Sequence, residues 1–152
     1  EMHQFMAPED PQEDERVSSL SIAMVDHNCR HRGNNVIIEL TVVFEGELGP
    51  KARVFNNDQP SFAYPYFIAI ENGEGTILAK EIFASTMSYG KTQQSIVHEE
   101  NIRQIIPLAP GDTGEDYKIT VGFQLSDNEL AYNQTLDFEG REEEDPQIVI
   151  IE

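Results

Sequence analysis

Two segments of the chain alternate strictly between apolar and polar side chains, and this period of two constrains the fold more than any other feature. The first segment has apolar side chains at Val36, Ile38, Leu40, Val42 and Phe44. The second has them at Tyr117, Ile119, Val121, Phe123 and Leu125. Because successive side chains of a strand point to opposite faces, each row predicts a strand with one buried face. The two rows are predicted to face each other across one core.

Further strand-like segments follow one another with turn signals at a spacing of about ten residues, which is typical of a sandwich. They are residues 17–25, 64–71, 76–84, 92–98, 101–108 and 147–151. Ser126 and Glu129 have the spacing of a helix capping box, which predicts a short helical turn near 126–132 and no longer helix. The sequence therefore predicts an all-β, immunoglobulin-like antiparallel β-sandwich.

A Pro-Gly corner at Pro110 and Gly111 precedes the strand that begins with Tyr117. This arrangement is typical of the tyrosine corner of immunoglobulin-like and fibronectin-type sandwiches. The Tyr117 hydroxyl would then bond back to the backbone of the corner. The alternative is that Tyr117 is only a core aromatic residue.

The domain prediction has three parts: an acidic N-terminal arm at 1–16, the sandwich at 17–138, and an acidic tail with a terminal strand at 139–152. The arm has no hydrophobic period and contains Pro8 and Pro11, so it is expected to contribute little to stability. The tail ends in QIVII, a short apolar strand that would pair with its own sheet or with that of a neighbour.

The formal net charge of −18 narrows the range of partners. Such a chain repels phosphate backbones and anionic lipid surfaces, so neither nucleic acid nor a membrane surface is expected as a partner. No apolar run has the length of a transmembrane helix, so no direct membrane span is expected. The charge either serves solubility or steers the chain toward a basic protein partner.

Cys29 is the single cysteine, and His27 and His31 lie two residues to either side of it. A metal site or an activated thiol at this position is considered, but ligands this close in sequence rarely complete a tetrahedral zinc site. We expect Cys29 to be structural. The Asn and Asp side chains of the loop segments 56–58 and 112–116 are of the type that binds calcium, but the same residues are common in ordinary turns. The sequence therefore predicts no metal and no cofactor.

Known catalytic motifs are missing from the sequence, including G-x-S-x-G, H-E-x-x-H and the glycine-rich phosphate loops. Ser95 and His98 are close in sequence but lack an orienting acid in a known arrangement. The paired acidic residues are typical of solvated surface. The sequence therefore predicts no catalytic residues and no enzyme.

Three stretches resemble a family of alphaproteobacterial envelope proteins that are often described as lipoproteins of unknown function. They are residues 37–52, 65–83 and 117–133, and the last is the most distinctive because a strand runs straight into the capped turn ending LAYN. The resemblance covers about residues 17–135. It implies a location in the periplasm or cell envelope and implies no enzyme.

Two functions are therefore predicted. The first is a non-catalytic accessory or structural protein of a cell-envelope assembly, including a membrane-associated complex, that acts by binding another protein. The expected contact residues are Phe5, Met6, Ile148, Val149 and Ile150. The alternative is a periplasmic carrier of a small ligand or peptide, with a pocket at the mouth of the sandwich formed by Tyr64, Tyr66 and Phe67.

Overall fold

The computed structural model describes the backbone of residues 1–138 and 147–150 and the side chains of residues 1–136. In this part of the chain a 3₁₀ turn spans Glu13–Glu15 and one α-helix, α1, spans Asp127–Phe138. The strands are β1 (Met2–Phe5), β2 (Arg16–Arg32), β3 (Asn35–Leu48), β4 (Ser61–Glu71), β5 (Ile77–Ser88), β6 (Ser95–Pro107), β7 (Lys118–Phe123) and β8 (Gln147–Ile150).

The strands form two antiparallel sheets that pack face to face. Sheet A has the order β1-β2-β3-β6, and sheet B has the order β5-β4-β7-β8. If β1 is left out and the strands β2 to β8 are lettered A, B, C, C′, E, F and G in chain order, the sheets have the orders A-B-E and C′-C-F-G. These are the strand orders of sandwiches of the immunoglobulin and fibronectin type. The predicted fold class is confirmed.

The core lies where β3 of sheet A faces β4 and β7 of sheet B. The apolar row of β3 is buried along its whole length, and so are Tyr117, Ile119 and Val121 of the second predicted row. The two rows meet in one hydrophobic cluster, as predicted. Phe123 and Leu125 are only partly buried at its margin.

A long hairpin formed by β2 and β3 sets the register of sheet A. Arg32 pairs with Asn35, so only Gly33 and Asn34 form the turn. Gly33 has a φ of +60°, a left-handed conformation that the first central position of a type II′ turn requires. This turn matches the twist of the strands and places the apolar row of β3 on the inner face.

The strand β6 is a single strand where the sequence predicted two short ones. Glu99 and Glu100 interrupted the apolar pattern, yet both pair with β3, opposite Val43 and Val42. Glu100 points inward, where two hydroxyl groups bind its carboxylate. Because the inward-facing Glu100 carboxylate accepts these two hydrogen bonds, the strand continues through a segment whose sequence predicted an interruption.

The capping box at the start of α1 is confirmed. The backbone N–H of Glu129 donates to Ser126 Oγ at 3.3 Å, and the backbone N–H of Ser126 donates to Glu129 Oε2 at 2.6 Å. The prediction of a helix no longer than two turns was wrong, because α1 has 12 residues. The helix contacts the N-terminal arm through Tyr132 and Asn133, and no local pattern reveals these contacts.

The N-terminal arm is part of the sandwich, which corrects the prediction of a separate arm at 1–16. Its strand β1 pairs with the start of β2, with Met2 opposite Leu20 and Phe5 opposite Arg16. Met2 and Phe5 are buried. The acidic composition concealed a four-residue edge strand whose Met2 side chain joins the core cluster and whose Phe5 ring is buried against Tyr132.

The helix α1 holds the arm in place through Tyr132. The Tyr132 ring packs against Phe5 at a centroid distance of 4.8 Å and against His3 at 5.4 Å. Its hydroxyl donates to Glu13 Oε2 at 2.6 Å, and the Asn133 side chain donates to the carbonyl oxygen of Glu1 at 2.9 Å. The arm is therefore fixed both by the sheet and by the helix.

Phe5→Ala is expected to lower the free energy of unfolding by about 3–5 kcal/mol, because the ring is 7% exposed and its removal leaves a cavity. Met6→Ala is the matched control, since Met6 is 60% exposed and its loss should change stability by less than about 0.5 kcal/mol. Urea unfolding measures both values. Equal effects of the two substitutions would contradict the integration of the arm.

The Tyr117 corner exists, but its acceptor differs from the prediction. The hydroxyl donates to Asp112 Oδ2 at 2.7 Å, a side-chain oxygen where a backbone carbonyl was expected. Asp112 Oδ1 also accepts the backbone N–H of Gly114 at 3.0 Å, so the carboxylate ties the loop to the ring. Burial and the bond to Asp112 raise the pKa of Tyr117 to about 12.

The raised pKa of Tyr117 predicts a loss of stability at alkaline pH. The neutral phenol is favoured in the folded state, so its contribution is complete below the unfolded pKa of about 10 and disappears as pH rises to about 12. Tyr117→Phe should cost about 0.5–1.5 kcal/mol at neutral pH and flatten this alkaline decline. Urea unfolding at a series of pH values tests this. An unchanged decline in the Phe variant would show that Tyr117 is not responsible.

Candidate interaction site

The predicted partner-binding residues lie in or next to two strands, β1 and β8. Phe5 is buried within this chain, which corrects its assignment as a partner contact. Met6 is exposed. Ile148, Val149 and Ile150 belong to β8, which pairs with β7 of the same sheet, and their side chains lie outside the described residues.

The three aromatic residues predicted to form a ligand pocket lie on opposite faces of β4. Tyr64 and Tyr66 are fully buried in the core. Phe67 points to the outer face of sheet B, where the Lys80 ammonium lies 4.7 Å from its ring centroid. The predicted pocket is therefore corrected, because the alternation of a strand separates Phe67 from its two neighbours.

A partly buried polar cluster lies between the edge strands β5 and β6. Tyr66 Oη and Ser85 Oγ each donate to the Glu100 carboxylate at 2.5 Å. His98 Nε2 lies 3.4 Å from the same carboxylate. In a catalytic triad a histidine lies between the serine and the carboxylate and accepts the serine proton. Here the Ser85 hydroxyl donates directly to the Glu100 carboxylate. Burial, followed by the bond to Glu100, holds the pKa of Tyr66 well above its usual value.

His27, Cys29 and His31 share the inner face of β2, as the strand period requires. Burial raises the pKa of the Cys29 thiol, which favours the unreactive protonated form. His31 Nε2 is bonded to the carbonyl oxygen of Thr113 at 2.6 Å. In the described part of the chain, no group of three His, Cys, Asp or Glu side chains is placed to hold a metal ion.

Two of the carboxylates considered for calcium, those of Asp58 and Asp112, make hydrogen bonds within their own loops. Asp112 accepts from Tyr117 and Gly114, as described above. Asp58 Oδ2 accepts the backbone N–H groups of Val54 at 3.0 Å and of Phe55 at 2.8 Å. These bonds are turn chemistry of the kind that Asp side chains favour.

The loop between β3 and β4 exposes two large apolar side chains at its tip. Val54 is 80% exposed and Phe55 is 68% exposed. Phe55 is the most exposed aromatic residue among those described. We call Val54 and Phe55 the apolar tip.

The apolar tip is held in a fixed backbone conformation by Asp58. Besides accepting the two N–H groups, Asp58 donates its own backbone N–H to the carbonyl oxygen of Phe55 at 3.1 Å. These bonds close a turn over residues 54–58 without any packing of the two apolar side chains. The loop therefore presents Val54 and Phe55 in a preorganised form.

Arg53 ties this turn to the neighbouring loop between β5 and β6. Its guanidinium donates to the carbonyl oxygens of Asp58 at 3.2 Å, Gly90 at 2.5 Å and Gln93 at 2.7 Å. At the start of the loop, a Cβ on Gly49 would collide with the backbone of Arg16. The loop that carries the apolar tip is thus anchored to the sandwich at Gly49 and at Arg53.

The two loops around the apolar tip differ in charge from the whole chain. The loops at 49–60 and 89–94 hold Lys51, Arg53 and Lys91 and only one acidic residue, Asp58, whereas the whole chain has 10 basic and 28 acidic residues. An acidic side chain borders these loops, because Glu47 lies near Tyr89. The exposed apolar pair, rather than a local excess of charge, is therefore the feature that a partner would recognise.

The apolar tip was not predicted from the sequence. No sequence pattern described above predicts a binding site at Val54 and Phe55. A signal did exist, because two large apolar residues stand between Arg53 and Asn56 in a segment whose composition is otherwise that of an exposed loop.

Comparisons of the chain with family models, with curated proteins and with solved structures find no significant match in any of the three. The resemblance to envelope proteins stays a prediction. Within residues 1–138 and 147–150, no helix is long and apolar enough to cross a membrane.

Asp58→Ala is expected to release the apolar tip, because it removes the acceptor of two backbone N–H groups. Amide hydrogen exchange at Val54 and Phe55 should accelerate, and stability should fall by about 0.5–1.5 kcal/mol. Asn57→Ala is the control, since its side chain is exposed on the same turn. Unchanged exchange at Val54 and Phe55 in the Asp58 variant would disprove the preorganised turn.

Proposed function

We propose that this protein is a non-catalytic accessory or structural protein of a cell-envelope assembly that works by binding another protein through the apolar tip. The observation that carries the proposal is the exposure of Val54 and Phe55 on a turn that hydrogen bonds hold rigid. A location in the periplasm or envelope is part of the proposal, and its support is the sequence resemblance.

The energetics of the tip support a binding role. Burial of a Val or Phe side chain stabilises a protein or complex by about 1.5–3 kcal/mol, and this chain leaves both exposed. A flexible loop would lose conformational entropy on binding, whereas a preorganised one has already lost it on folding. Aromatic residues on such surfaces are frequent hot spots of protein interfaces.

The position of the tip in the fold also supports the proposal. The loop between β3 and β4 is the B–C loop of an immunoglobulin-like sandwich, at the end where antibody variable domains bind antigen. The loop between β5 and β6 lies beside it, since Arg53 bridges the two. Loops on a rigid sandwich are a general location for binding residues.

A site-specific crosslink tests the proposal. A photoreactive amino acid at position 55, in the full chain expressed in its native cells, should give a discrete crosslinked protein in the envelope fraction. The same photoreactive amino acid at position 82 should give no crosslinked protein, although Ile82 is 61% exposed on the outer face of sheet B. Crosslinks of equal yield at both positions, or none at position 55, would reject the tip as the docking site.

Phe55→Ser should weaken binding of the crosslinked partner by about 30-fold or more, which corresponds to a hot-spot side chain. Its melting temperature should stay nearly unchanged, because Phe55 is 68% exposed in the folded chain. Ile82→Ser is the matched control for both measurements. Unchanged affinity of the Phe55 variant, measured by titration calorimetry, would remove the observation on which the function rests.

A further inference from the structure

The outer face of sheet A has a slot between two rows of polar side chains that cross three strands. In the register of β2, β3 and β6, the first row is Asp26, Thr41 and Asn101. The second row is Asn28, Glu39 and Arg103. Between them lie His27, Leu40 and Ile102, whose side chains point to the opposite face, so the backbone of the sheet forms the floor.

Strand geometry sets the dimensions of the slot. Two rows separated by two residues along a strand stand about 7 Å apart, and three neighbouring strands span about 10 Å. The cavity has a volume of about 380 Å³ and is lined by these three rows. This volume falls in the range of about 300–1,000 Å³ that small-ligand sites occupy.

The walls are fixed by contacts with neighbouring side chains and backbone. Thr41 Oγ1 donates to Asn101 Oδ1 at 2.8 Å, and Arg30 donates to Glu39 Oε1 at 3.2 Å. The backbone N–H of His27 donates to Asp26 Oδ1 at 2.8 Å. Side chains held in this way are preorganised for a ligand.

Hydrogen-bonding capacity remains in both walls after these contacts. In the described residues, the second carboxylate oxygens of Asp26 and Glu39 accept no hydrogen bond. The Arg103 guanidinium makes neither a hydrogen bond nor an ion pair there, although Glu39 is directly opposite it in the ladder. The slot therefore offers a free carboxylate acceptor in each wall and the free donors of Arg103 in the second wall.

We propose that the slot binds a neutral saccharide of one or two rings. Each hydroxyl group both donates and accepts hydrogen bonds, so a polyol can satisfy carboxylate, amide and guanidinium groups on both walls at once. The charges of Asp26 and Glu39 are matched by those of Arg30 and Arg103. Glu99, which accepts from Asn101 at 3.1 Å, adds one negative charge at the edge. This near balance of charge, in a chain of net charge −18, favours an uncharged ligand.

This site is independent of the apolar tip and of the proposed protein-binding function. It gives the small-ligand alternative a location other than Tyr64, Tyr66 and Phe67. Its residues lie on the face of a sheet, whereas the tip is a loop at one end of the sandwich. A saccharide bound in the slot leaves the apolar tip uncovered.

Nuclear magnetic resonance titration of the ¹⁵N-labelled full chain tests the proposal directly. The probes are maltose, cellobiose and N,N′-diacetylchitobiose, each added up to about 10 mM, which detects affinities in the millimolar range. At least one sugar should shift the backbone amides around the slot in β2, β3 and β6, and the shifts should saturate. The amides of Val54 and Phe55 should not move.

Glu39→Gln and Arg103→Gln should each weaken binding by about tenfold or more, because each removes a charged hydrogen-bonding group. Glu71→Gln and Lys118→Gln make comparable changes on the outer face of sheet B and should leave the affinity unchanged. Thr41→Phe places a ring over the floor and should abolish binding. The thermal melting curve of each variant shows whether it is folded.

Three results would overturn the proposal. The first is the absence of amide shifts with all three sugars. The second is shifts that lie outside the slot or that persist in the folded Glu39 and Arg103 variants. The third is saturable binding of glycylglycine at the same amides with higher affinity than any sugar, which would assign the slot to a zwitterion.

Discussion

The register of β3 is the constraint on which the rest of the structure depends. This strand pairs with β2 on one side and β6 on the other, and its inner row fills the core against sheet B. Phe44, for example, packs on Tyr66 of β4 at a centroid distance of 5.1 Å. A slip of one residue would bring Glu39, Thr41 and Glu45 into the core, so a register shifted by one residue is incompatible with folding.

The same register creates the slot on the opposite face. Since β3 buries every second residue, its remaining residues face outward in line with those of β2 and β6. The inner row thus fixes the fold, and the outer row brings together residues as distant in sequence as Asp26 and Arg103. The apolar tip, in contrast, is determined by hydrogen bonds within one loop and by the contacts of Arg53.

The sandwich could be predicted because its central strands follow a local pattern that alternates along the chain. The positions of Leu40 and Val121 follow from that pattern alone. The arm could not be predicted, because Met2 and Phe5 are buried only through pairing with β2 and contact with Tyr132. The length of α1 was missed for the same reason, since its partner lies more than a hundred residues earlier in the chain.

The candidate sites were even less visible in the sequence. Val54 and Phe55 stand in a segment with the composition of an ordinary loop, and their exposure follows from how Asp58 folds the turn. Tyr64, Tyr66 and Phe67 looked like one aromatic group, but the period of the strand places Phe67 on the other side of the sheet. Side-chain type was readable from the sequence, whereas the proximity of distant residues was not.

The inward carboxylate of Glu100 has a consequence for how this protein coexists with copies of itself. Both β5 and β6 are edge strands on the same side of the sandwich, and an edge strand can recruit a strand of another molecule. Extension of either sheet by a foreign strand would enclose Glu100 on its open side and remove the water that reaches it. A charge that Tyr66 and Ser85 satisfy in the single chain would then become a desolvated one, so the pair of edges resists polymerisation.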